Sequence, residues 1–149
     1  MADKIVIRPV GKDERSAWEP LWNGYLAFYN VTLAPDASDI TWQRFHDPEE
    51  QMFLLGAYVG GKLAGIAQYL FHRSTWTPES YCYLQDLFVA ESARRHGVGR
   101  ALTEAVYQRA KLAGASRVYW LTHVTNMQAR ALYDQVAENL GFIQYRKML

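Results

Sequence analysis

The stretch from Leu84 to Leu102 constrains the fold of this chain more than any other. It places a strand, a basic turn and a helix start in fixed order: Leu-Gln-Asp-Leu-Phe-Val-Ala-Glu-Ser-Ala-Arg-Arg-His-Gly-Val-Gly-Arg-Ala-Leu. The first N–H groups of a helix lack intrahelical acceptors and sit at the positive end of its dipole, so such a junction binds anions. Gly97 and Gly99 lack the Cβ that would hold a phosphate away, and Arg94, Arg95, His96 and Arg100 add positive side chains around the same point. That set suits a pyrophosphate or a ribose 3'-phosphate, and hence a phosphorylated cofactor. Other phosphate motifs fail on the letters. A dinucleotide fingerprint from Gly97 needs a small residue where Leu102 stands, and a P-loop needs Gly-Lys-Ser/Thr where the chain has Gly99-Arg100-Ala101. A plainer reading, glycines starting a helix under a solvated basic turn, stays open on this motif alone.

The rest of the chain supplies the context. Residues 81–89 form an aromatic strand, and Val98, Leu102, Ala105, Val106 and Ala110 share one face of a helix that Gly114 closes. Upstream, residues 4–8 read as a strand stopped by Pro9. Trp18, Leu21, Trp22, Tyr25 and Phe28 or Tyr29 then recur at helical intervals, and Ser16-x-x-Glu19 has capping-box spacing. Pro20 is compatible with a helix that begins near Ser16. Residues 30–39 read as a loop and 41–46 as a short helix ended by Pro48. Residues 52–59 and 62–71 form a hairpin around Gly60-Gly61, whose glycines supply the positive φ of a tight turn. Residues 117–122 read as a strand, 126–136 as a helix and 142–148 as a last strand. The order βααβββαβαβ predicts one α/β (α+β) domain over residues 1–149, with a mixed, mostly antiparallel central sheet flanked by helices.

Composition removes several classes. A chain of 149 residues with 5 Trp, 10 Tyr and 6 Phe can bury roughly 70% of its unfolded surface without staples. With 16 basic against 15 acidic residues the net charge is +1, which offers no field for nucleic acid. The single Cys82 makes no internal bridge, the polar start from Met1 to Lys4 is unlike a signal peptide, and no apolar run reaches the ~18 residues of a membrane span. The expectation is a cytoplasmic protein with no nucleic-acid, membrane or metal partner.

Arg94-x-x-Gly97-x-Gly99 after the strand resembles the R/Q-x-x-G-x-G/A coenzyme A signature of the GCN5-related N-acetyltransferases, the GNAT superfamily. Asn126-x-x-Ala129-x-x-Leu132-Tyr133 resembles that superfamily's second cofactor motif, and the order of elements is the family's own. The resemblance covers nearly the whole chain and is strongest to the branch of fungal histone, polyamine and D-amino-acid acetyltransferases. It implies acetyl-CoA as cofactor and acetyl transfer to a primary amine by direct attack in a ternary complex. It further implies that backbone at Leu87, Phe88 and Val89 pairs with the pantetheine arm. Arg94, Arg95, His96, Gly97, Val98, Gly99, Arg100 and Ala101 would cradle the pyrophosphate. Asn126 would bond the pantetheine, and Tyr133 would sit near the sulfur. Asn126, Ala129 and Tyr133 fall on one helical face, so one ligand can meet all three.

The chemistry needs a neutral amine, a donor for the developing negative charge and a proton for the departing thiolate. Tyr133 is the candidate acid, and a strand N–H near Leu87 to Val89 the candidate charge-stabilising donor. Many relatives carry Glu where this chain has Gln85, and an amide takes no proton at neutral pH. Asp86, which strand alternation would point away from Gln85, and His123 are the alternative bases, with a water relay or loss to solvent also open. Among the aromatics, Tyr29 at a helix end and Trp76 in a polar loop are acceptor-pocket candidates beside Gln85, in a region made acidic by Asp36, Asp39, Asp47, Glu49 and Glu50. The acceptor is a small amine, amino acid or polyamine, less readily a protein lysine. A last strand without a hairpin partner leaves an open sheet edge, which predicts a homodimer joined through the C-terminal strands. Because Gln85 departs from the family, a catalytically silent coenzyme A-binding module is the alternative.

Overall fold

The computed structural model describes residues 4–149, so Met1 to Asp3 of the polar start lie outside the described residues. Strands β1 (Ile5–Pro9), β2 (Met52–Val59), β3 (Lys62–His72), β4 (Tyr81–Val89) and β5 (Arg117–Tyr119) form one sheet in sequence order. The first three pairings are antiparallel, and β4 with β5 is parallel. Helices α1 (Arg15–Phe28) and α2 (Ala37–Phe45) cover one face. Helix α3 (Val98–Leu112) covers the other, as a parallel β4 to β5 crossover requires. Helix α4 (Met127–Val136) follows β5 and lies beside α3, where the Tyr107 hydroxyl donates to the Val136 carbonyl at 2.9 Å.

Because strand side chains alternate, the sheet feeds two cores. Leu55, Ala67, Tyr69, Cys82 and Leu84 meet Val98, Leu102 and Val106 of α3, while Leu54, Leu63 and Ile66 meet Trp18, Leu21 and Trp22 of α1 and Trp42 of α2. Each fully buried aliphatic side chain among these contributes about 1.5–3 kcal/mol. On the α1 side there is a close approach at Gly24, where an added Cβ would stand 2.9 Å from the Phe88 ring. A glycine in mid-helix, ordinarily unfavourable by about 1 kcal/mol, here lets α1 lie directly on β4.

Three sequence expectations need correction. The first helix begins at Arg15 after a 3-10 turn at Lys12–Glu14, so Ser16 is not its cap and Pro20 lies inside, where it has no N–H for the Ser16 carbonyl. Glu14 makes the reciprocal contact instead, its Oε1 accepting from the Gly11 N–H at 2.9 Å. The second helix starts at Ala37, inside the expected loop, and its Ser38 accepts from Trp22 Nε1 at 2.9 Å. The expected last strand at residues 142–148 does not form, and β5 stops at Tyr119 instead of reaching residue 122. The segment after Val136 carries no helix or strand, and Phe142, Ile143 and Tyr145 are 82%, 76% and 88% exposed. A three-residue β5 offers too little ladder within this chain to hold another strand.

Candidate active site

Strand β4 is irregular at the place that matters. Gln68 of β3 pairs with Asp86 and Tyr69 with Leu84, so Gln85 is an extra residue without a partner, a β-bulge. The bulge reverses the alternation. Leu84 joins the core under α3, whereas Asp86, two residues on, turns toward α1. On the other side, the β4 to β5 ladder ends at Tyr83 paired with Tyr119. From Leu84 onward the edge of β4 that faces β5 therefore has no strand beside it, and a cleft opens there. Tyr25, Tyr29, Leu84, Gln85, Leu87, Trp120, Leu121 and Tyr133 line it.

Tyr133 reaches the cleft from α4, its ring held edge-on by Trp120 at 5.3 Å between centroids. Burial pushes its hydroxyl up to about 12, with Tyr29 adding to the shift, so the proton stays on at physiological pH. Tyr29 closes the opposite wall and carries the exposed His123 ring at 5.5 Å. The Tyr25 hydroxyl stands 3.5 Å from the Gln85 carbonyl oxygen and also faces the Asp86 carboxylate. Asp86 is 9% exposed and does not line the cleft; it lies behind Tyr25. Gln68 Nε2 donates to Asp86 Oδ2 at 2.7 Å, and Gln68 Oε1 accepts from Trp18 Nε1 at 2.8 Å. Burial raises the Asp86 carboxyl above its ordinary value, against the opposing hydrogen bonds from Tyr25 and Gln68.

The basic turn follows at the end of β4. Arg95 and Gly97 both take left-handed conformations, with φ of 67° and 83°. Alternating left-handed residues turn successive N–H groups into one concavity, the arrangement that holds anions. The first intrahelical bond of α3 runs from the Ala101 N–H to the Gly97 carbonyl at 3.0 Å, so Val98, Gly99 and Arg100 offer N–H groups ahead of it. A Cβ on Gly97 would meet nothing within 4 Å, so the glycine there serves the backbone angle; at Gly99 it would lie 3.4 Å from Leu132, an ordinary contact.

The four cations of the turn divide. Arg94 folds back, its Nε donating to the Val89 carbonyl at 3.0 Å and its guanidinium 5.4 Å from the Phe88 ring centroid. Arg100 bonds Gln135 and lies 3.7 Å from Glu104. Arg95 and His96 remain exposed. Asn126 stands just ahead of α4 with its Nδ2 donating to Thr122 Oγ1 at 3.2 Å, and Ala129 follows half-buried. Leu87 faces the cleft, Phe88 turns toward α1 and Val89 toward α3.

The acceptor candidates separate too. Tyr29 and Gln85 line the cleft, but Trp76 does not: it is 76% exposed in the β3 to β4 connection. Within the acidic region, Asp39 pairs with Arg15 and Glu50 lies 3.9 Å from Arg44. Sequence reading did not single out Gln68, although a lone amide inside an apolar strand run is a signal of a partnered buried group.

A model of the acetyltransferase (GNAT) family matches residues 18–142. The chain belongs to this family. It is 36% identical over 147 residues to the D-amino-acid N-acetyltransferase HPA3 of Saccharomyces cerevisiae, covering 97% of this chain and 91% of that one. A thialysine N-epsilon-acetyltransferase of Caenorhabditis elegans is 32% identical over 80 residues, 54% of this chain and 49% of the relative. Among solved structures, AAC(6')-Iy in complex with a CoA bisubstrate analog superposes with a TM-score of 0.83 at 19% identity, covering 98% and 99% of the two chains. The enzyme is thus an N-acetyltransferase, and its cofactor is acetyl-CoA. The left-handed pair at Arg95 and Gly97, the free N–H groups of α3 and the open edge of β4 fit that molecule's pyrophosphate and its amide-bearing arm.

Proposed function

We propose that the protein transfers the acetyl group of acetyl-CoA to the primary amine of a small acceptor, in a ternary complex at the cleft between β4 and β5. The observation that carries this is the meeting of Tyr133, Gln85 and Tyr29 where the sheet parts, directly beyond the anion-binding turn. When bound, acetyl-CoA supplies an activated thioester. N–H groups of the turn from Arg95 to Arg100 would hold its phosphates, the unpaired β4 edge at Leu87 to Val89 would align its arm, and Asn126 would hold the arm from the α4 side. A backbone N–H left without a strand partner beyond the bulge would stabilise the negative charge that develops on the thioester oxygen. Tyr133, kept protonated by burial, would give its proton to the departing sulfur and recover one from the nitrogen as the amide forms.

The acceptor enters from the α1 side. Buried Asp86 draws an ammonium toward Tyr25, and the Tyr25 hydroxyl passes the proton from the amine to Asp86. This division of labour accommodates glutamine at position 85. Names of relatives that act on amino-acid amines favour an amino-acid-like acceptor, and a cytoplasmic location matches the supply of acetyl-CoA. Thiol release from acetyl-CoA, measured against D- and L-amino acids, diamines, polyamines and lysine peptides, tests the assignment. Turnover on at least one class is expected; tight binding of acetyl-CoA without turnover on any would make the chain a silent coenzyme A-binding module.

The assembly we propose is a homodimer through the C-terminal segments. A cleft of about 350 Å³ lies beside β5, lined by Tyr107, Ala110, Ala115, Val118 and Val136 with Lys111, Ser116 and Arg117 at its polar side, and the exposed Phe142, Ile143, Tyr145 and Met148 are of a kind to fill its apolar part in a second copy. A mass of two chains at micromolar concentration is expected from light scattering, and a mass of one chain at every concentration would overturn it.

A further inference from the structure

On the α1 side of the sheet, the half of β4 before the bulge is not covered by a helix core but paved with aromatic rings. Cys82, Leu84 and Val118 face α3, so Tyr81, Tyr83 and Tyr119 point the other way. Tyr83 and Tyr119 stack at 4.9 Å with 14° between planes, and the Tyr119 hydroxyl bonds His72 Nε2 at 2.7 Å, which fixes the floor. At the far end stands Arg117, its guanidinium 4.1 Å from the Tyr81 ring centroid and 5.6 Å from that of the exposed Trp76. Among the described residues Arg117 has neither an ion pair within 4.0 Å nor a hydrogen bond from its side chain. A guanidinium fixed between two rings and lacking an anion is prepared to receive one, since stacking leaves its edge donors free.

The distance to the reaction centre selects what that anion belongs to. Arg117 pairs in register with Tyr81, four residues before Gln85, and a strand advances about 3.3 Å per residue. The cation therefore lies about 13 Å along the strand from the cleft. An α-amino acid, whose amine and carboxylate are neighbours, cannot span it.

We infer that the shelf of Tyr83, Tyr119 and Arg117 is a distal acceptor subsite. It holds an extended chain whose reacting amine lies in the cleft and whose carboxylate, about 13 Å away, is bound by Arg117. The inference rests on the acetyl-transfer reading above and narrows it. It favours amines carrying a remote carboxylate, such as short peptides or ω-amino acids, and disfavours polyamines, whose second cation would meet Arg117.

The test is a molecular ruler. Straight-chain ω-amino acids of increasing length are compared with their primary amides, both as acceptors (kcat/KM) and as ligands of the coenzyme A complex by calorimetry, in the wild type and in Arg117→Gln. The wild type is expected to prefer carboxylate over amide by about tenfold or more once the chain spans about 13 Å, and to show no such preference at glycine. Arg117→Gln should abolish the preference at every length, and Trp76→Ala should weaken it severalfold. A length-independent preference, or one that survives in Arg117→Gln, would overturn the subsite. If no acceptor turns over yet the long carboxylates still bind in an Arg117-dependent way, the subsite stands and the transfer reading fails.

Discussion

Gln68→Leu tests the hydrogen-bonded chain that runs from the α1 core to the cleft. The amide of Gln68 satisfies two buried groups at once, Trp18 Nε1 at 2.8 Å and Asp86 Oδ2 at 2.7 Å. Leucine has nearly the same volume but no polar atom, so both partners are left unpaired in a site that Trp18 closes completely. Each orphaned group costs about 1–3 kcal/mol, giving a loss of about 2–6 kcal/mol out of a typical total of about 5–15. Losing the Gln68 bond also removes one of the influences that hold the Asp86 carboxyl down, so burial moves it further up. A carboxyl raised in the folded state takes its proton more readily there than in the unfolded chain, so the stability deficit of Gln68→Leu should shrink as pH falls and the buried charge is neutralised. Urea unfolding at two pH values reads the first effect, and the acidic limb of kcat/KM, expected to move to higher pH, reads the second. Asp86→Asn is the companion, because its amide oxygen can still accept from Gln68 while its titration is gone. A Gln68→Leu protein within about 0.5 kcal/mol of wild type, with an unmoved acidic limb, would refute the reasoning.

Two further expectations concern the turn and the N-terminal clasp. Gly97→Ala meets no clash but must adopt φ of 83°, which costs about 1–2 kcal/mol, and should raise KM for acetyl-CoA; Arg95→Gly, relieving φ of 67°, should stabilise the fold by up to about 1 kcal/mol, and thermal melts with substrate titrations check both. Glu14 accepts from Arg8 at 2.8 Å, the Gly11 N–H and the Tyr58 hydroxyl, and the Arg8 bond above all holds its carboxyl at about 2 against an ordinary 4.5. Its stabilising contribution should be complete above pH about 4.5 and vanish as pH falls to about 2, so the acid slope of Tm should flatten in Glu14→Gln.

Periodicity made α3 and the first half of β4 legible, and the paired glycines marked the hairpin of β2 and β3: Gly60, Gly61 and Gly114 take the left-handed angles expected of them, whereas Gly97, expected only to clear space for a phosphate, takes one as well. The bulge was not legible. Gln85 and Asp86 carry no glycine or proline to mark it, and the register slip is set by pairing with Gln68, far away in sequence. For the same reason the letters did not show that Asp86 lies behind Tyr25 and against Gln68, which depends on that slip. The letters of the anion turn announced its charge, but not that Arg94 and Arg100 bond the protein itself while Arg95 supplies a left-handed residue. The final segment has the composition of a strand, yet a strand needs an edge, and a three-residue β5 within one chain does not supply it.

The central claim, that the β4 to β5 cleft is where acetyl transfer occurs with Tyr133 as acid, is tested most directly by Tyr133→Phe. Acetyl-CoA affinity and turnover should be measured on the same preparation, with the best acceptor of the amine panel. Removing one hydroxyl from a partly buried ring leaves its packing on Trp120 intact, so acetyl-CoA should bind as in the wild type. The value of kcat should fall by about 10²–10⁴, across the pH range below about 12 in which the wild-type hydroxyl keeps its proton. Full turnover by Tyr133→Phe across that range would contradict the account.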